Sequence, residues 1–189
     1  MNLLLDQLKA DHRQMVTLLY HLGAEVKAIC GMSRRRPDLD RILEVIDYIQ
    51  TYPQVWHHPV EDCIYAEIMD HGVSIDHPDY RLVLQLHHDH ETLEILTEYL
   101  HELYSKKIVG EPIPAARLVK TTEDYIRRQL QHIELEQLKV WPLIDQYVDQ
   151  QGWDRIRENV NAQTGREGDL VAGFRHQYHS IQASSMYTA

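Results

Sequence analysis

Four histidines and two glutamates fall where an apolar stripe should run. His12, His57, Glu61, His90, His132 and Glu136 sit at three- or four-residue spacing among Leu, Ile, Val, Met and Tyr, and two pairs share one form, His57-x-x-x-Glu61 and His132-x-x-x-Glu136. On a helix this spacing stacks an imidazole and a carboxylate on one face, roughly 5–6 Å apart at Cβ. Burying such groups in an apolar core is costly unless they are paired or coordinate metal. Four nitrogens and two carboxylates can satisfy two cations. If Glu61 and Glu136 each bridge, every cation receives two histidines and two carboxylate oxygens, with positions left for solvent and an exogenous ligand. Imidazole and carboxylate donors without thiolate suit iron or manganese, and zinc less distinctively.

Such a site needs helices that face one another. Glycine is sparse, there is one Phe, and long stretches are rich in Leu, Ile, Glu, Gln and Arg, a composition that predicts an all-α fold. Turn-forming segments at 31–40, 70–79, 109–114 and 150–154 divide the chain into four helical segments and a tail. The predicted stripes are Leu5, Leu8, His12, Met15, Leu19 and Leu22; Ile42, Ile46, Ile49, Pro53, His57, Glu61, Ile64 and Ile68; Val83, Leu86, His90, Leu93 and Leu100, with Leu103 or Tyr104; and Leu118, Thr121, Tyr125, His132, Glu136, Val140 and Leu143. Asp38 or Asp40 is expected to cap the second segment, Asp76 or Asp79 the third, and Gly72 and Gly152 are expected as C-terminal stops. Four antiparallel amphipathic segments with short turns predict an up-and-down four-helix bundle over residues 1–148, whose axis is a place for metal sites. The halves repeat: "LKADHRQMVTLLYHL" resembles "LHHDHETLEILTEYL", each followed by a His-x-x-x-Glu.

The net charge of −10 weighs against a nucleic-acid or anionic-membrane partner. No apolar run reaches the roughly 20 residues of a membrane span, and the N-terminus lacks the features of a secretory leader. Two cysteines, Cys30 and Cys63, are too few for a disulfide framework, so the expected setting is soluble and cytoplasmic.

With the pattern His12, His57-x-x-x-Glu61, His90, His132-x-x-x-Glu136, and with "YPQVWHHPVED", "DHETLEIL" and "VWPLI" around it, the chain resembles the hemerythrin-like, or HHE cation-binding, family over roughly residues 1–148. The resemblance implies a bundle holding two non-haem iron ions with an oxo or hydroxo bridge and two bridging carboxylates. Ferritin-like proteins use Glu-x-x-His, the opposite order. Oxygen-carrying hemerythrins have a histidine where this chain has Leu86 and an aspartate where it has Gln137, so the resemblance is to a four-histidine, two-glutamate branch. That branch includes proteins implicated in nitric oxide or oxidative stress responses and in iron–sulfur cluster repair. Repair-type members commonly carry an N-terminal cysteine-containing domain, and the first segment here starts almost at Met1, which weighs against that role.

The implied function is binding of, or reaction with, oxygen, nitric oxide or hydrogen peroxide in sensing or stress response. Sensing would be binding; peroxide reduction would be catalysis, and the residues leave the choice open. The alternatives are metal storage, iron–sulfur repair, or a metal-stapled interaction module. No nucleophile, phosphate cradle or nicotinamide motif implies an organic substrate. Around the site, Asp11, Asp89, His58 and His88 are expected to turn outward. His87 is expected at the core edge. Tyr52, Tyr65, Tyr125, Trp56 and Trp141 are read as packing, Cys63 as a buried thiol, and "SRRRPD" as a solvated loop. Pro59 should bend its helix between His57 and Glu61. The extension, 149–189, should contain a short helix at "WDRIRENV", a loop at "NAQTGREGD" and a docked helix presenting Leu170, Phe174, Tyr178 and Ile181. His176 and His179 should be exposed and the last residues, "ASSMYTA", disordered. A partner-binding or homodimer-exchanging tail is the alternative to docking.

Overall fold

The computed structural model describes residues 2–164 and 168–186. The protein is an all-α, up-and-down four-helix bundle with a C-terminal helical extension, and no strand occurs among the described residues. The first bundle helix is α1 (Leu3–Ile29). The second comprises α2 (Leu39–Tyr52), a π turn (Pro53–His57), α3 (His58–Glu67) and a second π turn (Ile68–Gly72). The third is α4 (Pro78–Ile108); the fourth is α5 (Ala115–Leu135), a π turn (Glu136–Val140) and α6 (Trp141–Tyr147). Sequential helices pack side by side, and α1 against α5 closes the ring. No described helix is long and apolar enough to cross a membrane.

Two apolar clusters fill the bundle, one built on Leu18, Ile46, Tyr104 and Tyr125, the other on Leu8, Ile64, Leu86 and Val140. The histidines and glutamates of the stripe form a polar layer between them, since His12 follows Leu8 of one cluster and precedes Met15 of the other. In α5 the buried threonine is Thr122 rather than Thr121, and its hydroxyl pairs at 2.8 Å with the Tyr104 phenol. That hydrogen bond compensates a polar group inside the core.

The second segment is not one continuous helix. The His58 N–H bonds to the Pro53 carbonyl, five residues back, and Trp141 does the same to Glu136. Each slip is followed two residues later by a proline, Pro59 or Pro142. A proline cannot donate to the carbonyl four residues before it and crowds that oxygen, so widening the preceding turn relieves both problems. The irregularity expected at Pro59 thus lies just before it, at the turn that carries His57.

Asp38 caps α2 as expected, accepting from Arg41 N–H at 3.0 Å. The cap of α4 is instead His77, whose Nδ1 accepts from Asp79 N–H at 3.2 Å, because Pro78 takes the first helical position without an N–H to offer. Gly152 is no stop; it lies inside the first turn of α7 (Gln150–Thr164) and donates to Asp149 Oδ1 at 2.8 Å. The "SRRRPD" loop is more than solvated: Arg35 forks onto buried Glu25, at 2.8 Å through Nη1. Asp38 N–H also donates to Glu25, at 2.9 Å. At Gly72 an added Cβ would stand 2.7 Å from Tyr147 Cβ. Gly72→Ala should therefore cost about 1–3 kcal/mol, seen as a lower urea midpoint with unchanged slope.

The extension is helical for longer than expected. α7 continues through Thr164 and packs on α3, where Arg155 Nε donates to buried Glu67 at 2.9 Å. α8 (Gly168–Met186) packs on α2, with Tyr178 and Ile181 buried, Phe174 against the core, and His176 and His179 exposed. Part of the expected loop is therefore helix, and so is part of "ASSMYTA". Residues 165–167, 187–189 and the Leu170 side chain lie outside the described residues.

Candidate metal centre

All six sequence-predicted residues converge on one buried layer. α1 supplies His12, the π turn before Pro59 supplies His57, α3 supplies Glu61, α4 supplies His90, and the junction of α5 with its π turn supplies His132 and Glu136. Each is at most 6 % exposed. The four imidazoles all direct Nε2 inward. His57 Nε2 lies 3.1 Å and His12 Nε2 3.4 Å from Glu61 Oε1, and His12 Nε2 lies 3.2 Å from Glu136 Oε2. On the other side, His132 Nε2 lies 3.1 Å and His90 Nε2 3.5 Å from Glu136 Oε1, with His90 Nε2 3.4 Å from Glu61 Oε2. Each carboxylate thus presents one oxygen to each histidine pair.

The donor atoms have little else to do. His12 Nε2, His90 Nε2, His132 Nε2, Glu61 Oε2 and Glu136 Oε2 are buried without a hydrogen-bond partner among the described residues. Orphaned buried acceptors and imidazole nitrogens are expensive. Two cations would satisfy them all, so the residues fit a two-metal centre. His12, His57 and Glu61 form one donor group close enough to hold an ion, and His90, His132 and Glu136 another.

Outer partners orient the rings. His57 Nδ1 lies 3.3 Å from Asp11 Oδ2, and His90 Nδ1 lies 3.3 Å from Asp62 Oδ1. His12 Nδ1 lies 3.3 Å from the Gln137 amide nitrogen; with Nε2 committed inward, Nδ1 carries the proton, so the amide presents oxygen after an end-for-end turn. Asp89 Oδ2 stands 4.0 Å from His132 Nδ1, beyond hydrogen-bond reach. Tyr65 O–H donates to Glu136 Oε1. Trp141 stacks on His12 with centroids 5.2 Å apart, and His58 stacks on His90 at 4.0 Å.

Several expectations change here. Asp11 does not face solvent: it is 0 % exposed, because the helix position beside His12 turns toward the neighbouring helix and reaches its histidine. Tyr65 is more than packing, since a residue four after Glu61 stays on the same face and meets the carboxylate of the opposite pair. His58 covers the His90 ring rather than lying clear of it. His87 is at the edge as expected, 2.8 Å from Asp62 and 42 % exposed in its side chain. Asp62 carries no signal beyond adjacency to Glu61, whereas Gln137 stands out only as a departure from the family pattern and proves to be the outer partner of His12.

Without metal the layer is an array of opposite charges. Burial opposes a charge on His57, but the Glu61 carboxylate and Asp11 outweigh it and push the pKa up to about 10. Burial likewise opposes a charge on His132, which Glu136 raises to about 9. Burial and mutual repulsion disfavour ionised Glu61, yet His57 and His12 hold it well below its usual range. Glu136 is held low despite burial, first by His132. The histidine contribution to stability is complete below the ordinary value of 6.5 and is lost as pH rises through about 9 to 10; the glutamate contribution is present above 4.5 and lost as pH falls. The metal-free protein should therefore melt at progressively lower temperature from about pH 6.5 toward 10, whereas cations replacing the protons should remove that alkaline loss. Thermal melts of both forms across pH check this.

No curated protein and no solved structure matches the chain. The family model described as the hemerythrin HHE cation-binding domain matches residues 3–144, covering the whole polar layer. With its helical bundle and its paired histidine and glutamate clusters, the chain belongs to the hemerythrin HHE cation-binding family and is a hemerythrin-like metal-binding domain.

Proposed function

We propose that His12 and His57 hold one iron ion and His90 and His132 a second, with Glu61 and Glu136 bridging them, in the four-histidine, two-glutamate di-iron arrangement with an oxo or hydroxo bridge. The centre binds or reacts with oxygen, nitric oxide or hydrogen peroxide in sensing or a stress response. The observation that carries this reading is the division of each carboxylate, one oxygen facing each histidine pair. Four protein donors per ion leave coordination positions open, and imidazole with carboxylate suits iron. When bound, the iron pair supplies electrons and open positions to a small ligand.

The chain's own groups do the rest. Asp11, Asp62 and Gln137 fix the imidazole rings, and Tyr65 holds a proton beside Glu136 Oε1. A cavity of about 220 Å³ lined by Asp89, Leu93, Arg128 and Gln131 reaches His132, which gives small molecules a polar approach from solvent. Both cysteines are free, which suits a reducing cytoplasm.

The test is an optical spectrum of anaerobically reduced, iron-loaded protein before and after each of the three ligands. A bridged-iron absorption that appears or shifts with at least one supports the reading. A spectrum indifferent to all three would leave iron as a structural staple and overturn it.

A further inference from the structure

One orienting chain runs out of the polar layer into a helix beyond the family match. Asp11 Oδ2 faces His57 Nδ1 at 3.3 Å, and its other oxygen accepts from Gln7 Nε2 at 2.7 Å. The Gln7 carbonyl oxygen in turn accepts from Arg175 Nη2 of α8, also at 2.7 Å. The match ends at residue 144, so Arg175 belongs to the extension. The same helix covers this corner of the bundle: Phe174 packs edge-on to Tyr52 at 5.4 Å, Tyr178 lies 6.0 Å from Tyr48, and the Arg41 guanidinium donates to the Ile181 carbonyl. Tyr52 is itself beside Asp11; burial and that carboxylate raise its pKa, so it remains a neutral phenol there.

The other orienting groups lead elsewhere. Asp62 ends at His87, whose side chain is 42 % exposed, and Gln137, the partner of His12, is itself exposed. Only the His57 partner, among these groups, connects to α8.

Building on the metal-centre reading above, we propose that α8 is a responsive part of that centre: its docking through Arg175 is coupled, by way of Gln7 and Asp11, to occupancy of the cation position held by His12 and His57. A cation on Nε2 takes the place of the proton held there in the metal-free layer and pins the His57 ring, so that its Nδ1–H is held on Asp11. A fixed Asp11 fixes the Gln7 amide, whose two ends are both engaged, and so presents a fixed acceptor to Arg175. Coupling is reciprocal, so undocking α8 weakens the cation position by the factor by which an empty position loosens α8. Metal state thereby becomes readable on the surface of the protein, at a segment the bundle itself does not contain.

The experiment is amide hydrogen exchange over residues 174–183 of the full chain, metal-free and loaded with cobalt(II) alone, whose visible absorption counts bound ions. Loading should slow exchange in α8 by about fivefold or more, the lower range of coupling between sites. Gln7→Met should take up cobalt but lose that slowing. Arg175→Ala, on an exposed position that leaves the bundle core intact, should lose it too and weaken the first cobalt equivalent by a similar factor. Equal exchange in loaded and empty wild type, or full slowing in both variants, would overturn the coupling while leaving the metal centre standing. Failure of the wild type to take up cobalt would overturn the centre and the coupling with it.

Discussion

Glu136→Ala is expected to empty both cation positions at once. Its Oε1 lies beside His90 and His132 and its Oε2 beside His12, so one truncation removes a donor from each position. It also strands buried imidazoles that the carboxylate now compensates. Loss of an orienting neighbour of a metal ligand costs about 10–100-fold in affinity, and loss of a shared ligand should exceed that. Iron measured by plasma emission after gel filtration should fall from two per chain to a trace. His132→Ala should also lose metal, whereas His87→Ala should retain two ions, because His87 contacts Asp62 at the rim rather than the inward-facing donors. If Glu136→Ala retained two ions, the bridging arrangement would be wrong.

Metal removal is the second large effect. Ligand binding to the folded state alone stabilises it by about 4 kcal/mol when free ion exceeds the dissociation constant a thousandfold. For a chain of this size, about 2–4 °C accompanies each kcal/mol. Stripping the metal should therefore lower the melting temperature by roughly 10 °C, with recovery on adding iron(II) anaerobically. The physical basis lies in the orphaned donors of the layer, which two cations would tie together across α1, α3, α4 and α5 more strongly than the imidazole–carboxylate pairs do alone. An unchanged melting curve would show that these groups satisfy one another without metal.

The six residues of the layer were legible because helix periodicity is strict. A histidine on an apolar stripe must either face the core or break the helix, and two His-x-x-x-Glu pairs made the first choice the cheaper one. The same rule misled for Asp11. A residue one step from the stripe points about 100° away, which means solvent for an isolated helix but a neighbouring helix in a closed bundle. Tyr65 was legible in principle, since it stands one turn beyond Glu61. Its hydroxyl partner comes from another helix, and that pairing depends on how α3 and α5 pack.

The π turns were harder to foresee. Pro59 and Pro142 signal that a ladder must yield, but not whether by kink, break or slip. The structure resolves both by a slip that carries His57 in one case and Glu136 in the other. Regular helices through these points would rotate His57 and Glu136 away from the positions they hold. Short π segments recur at functional sites, and the cost of a distorted turn is consistent with a gain made at the centre. Polar residues and Gly168 make α7 and α8 resemble loop over part of their length, whereas contacts with α3 and α2 supply the stability their composition lacks.

The two-iron centre is tested most directly by a crystal of iron-loaded protein measured on both sides of the iron absorption edge. Two anomalous peaks are expected in the polar layer, one within bonding distance of His12 and His57 and one of His90 and His132, with Glu61 and Glu136 spanning both. A single peak, or peaks located instead at the rim group of Asp62 and His87, would contradict it.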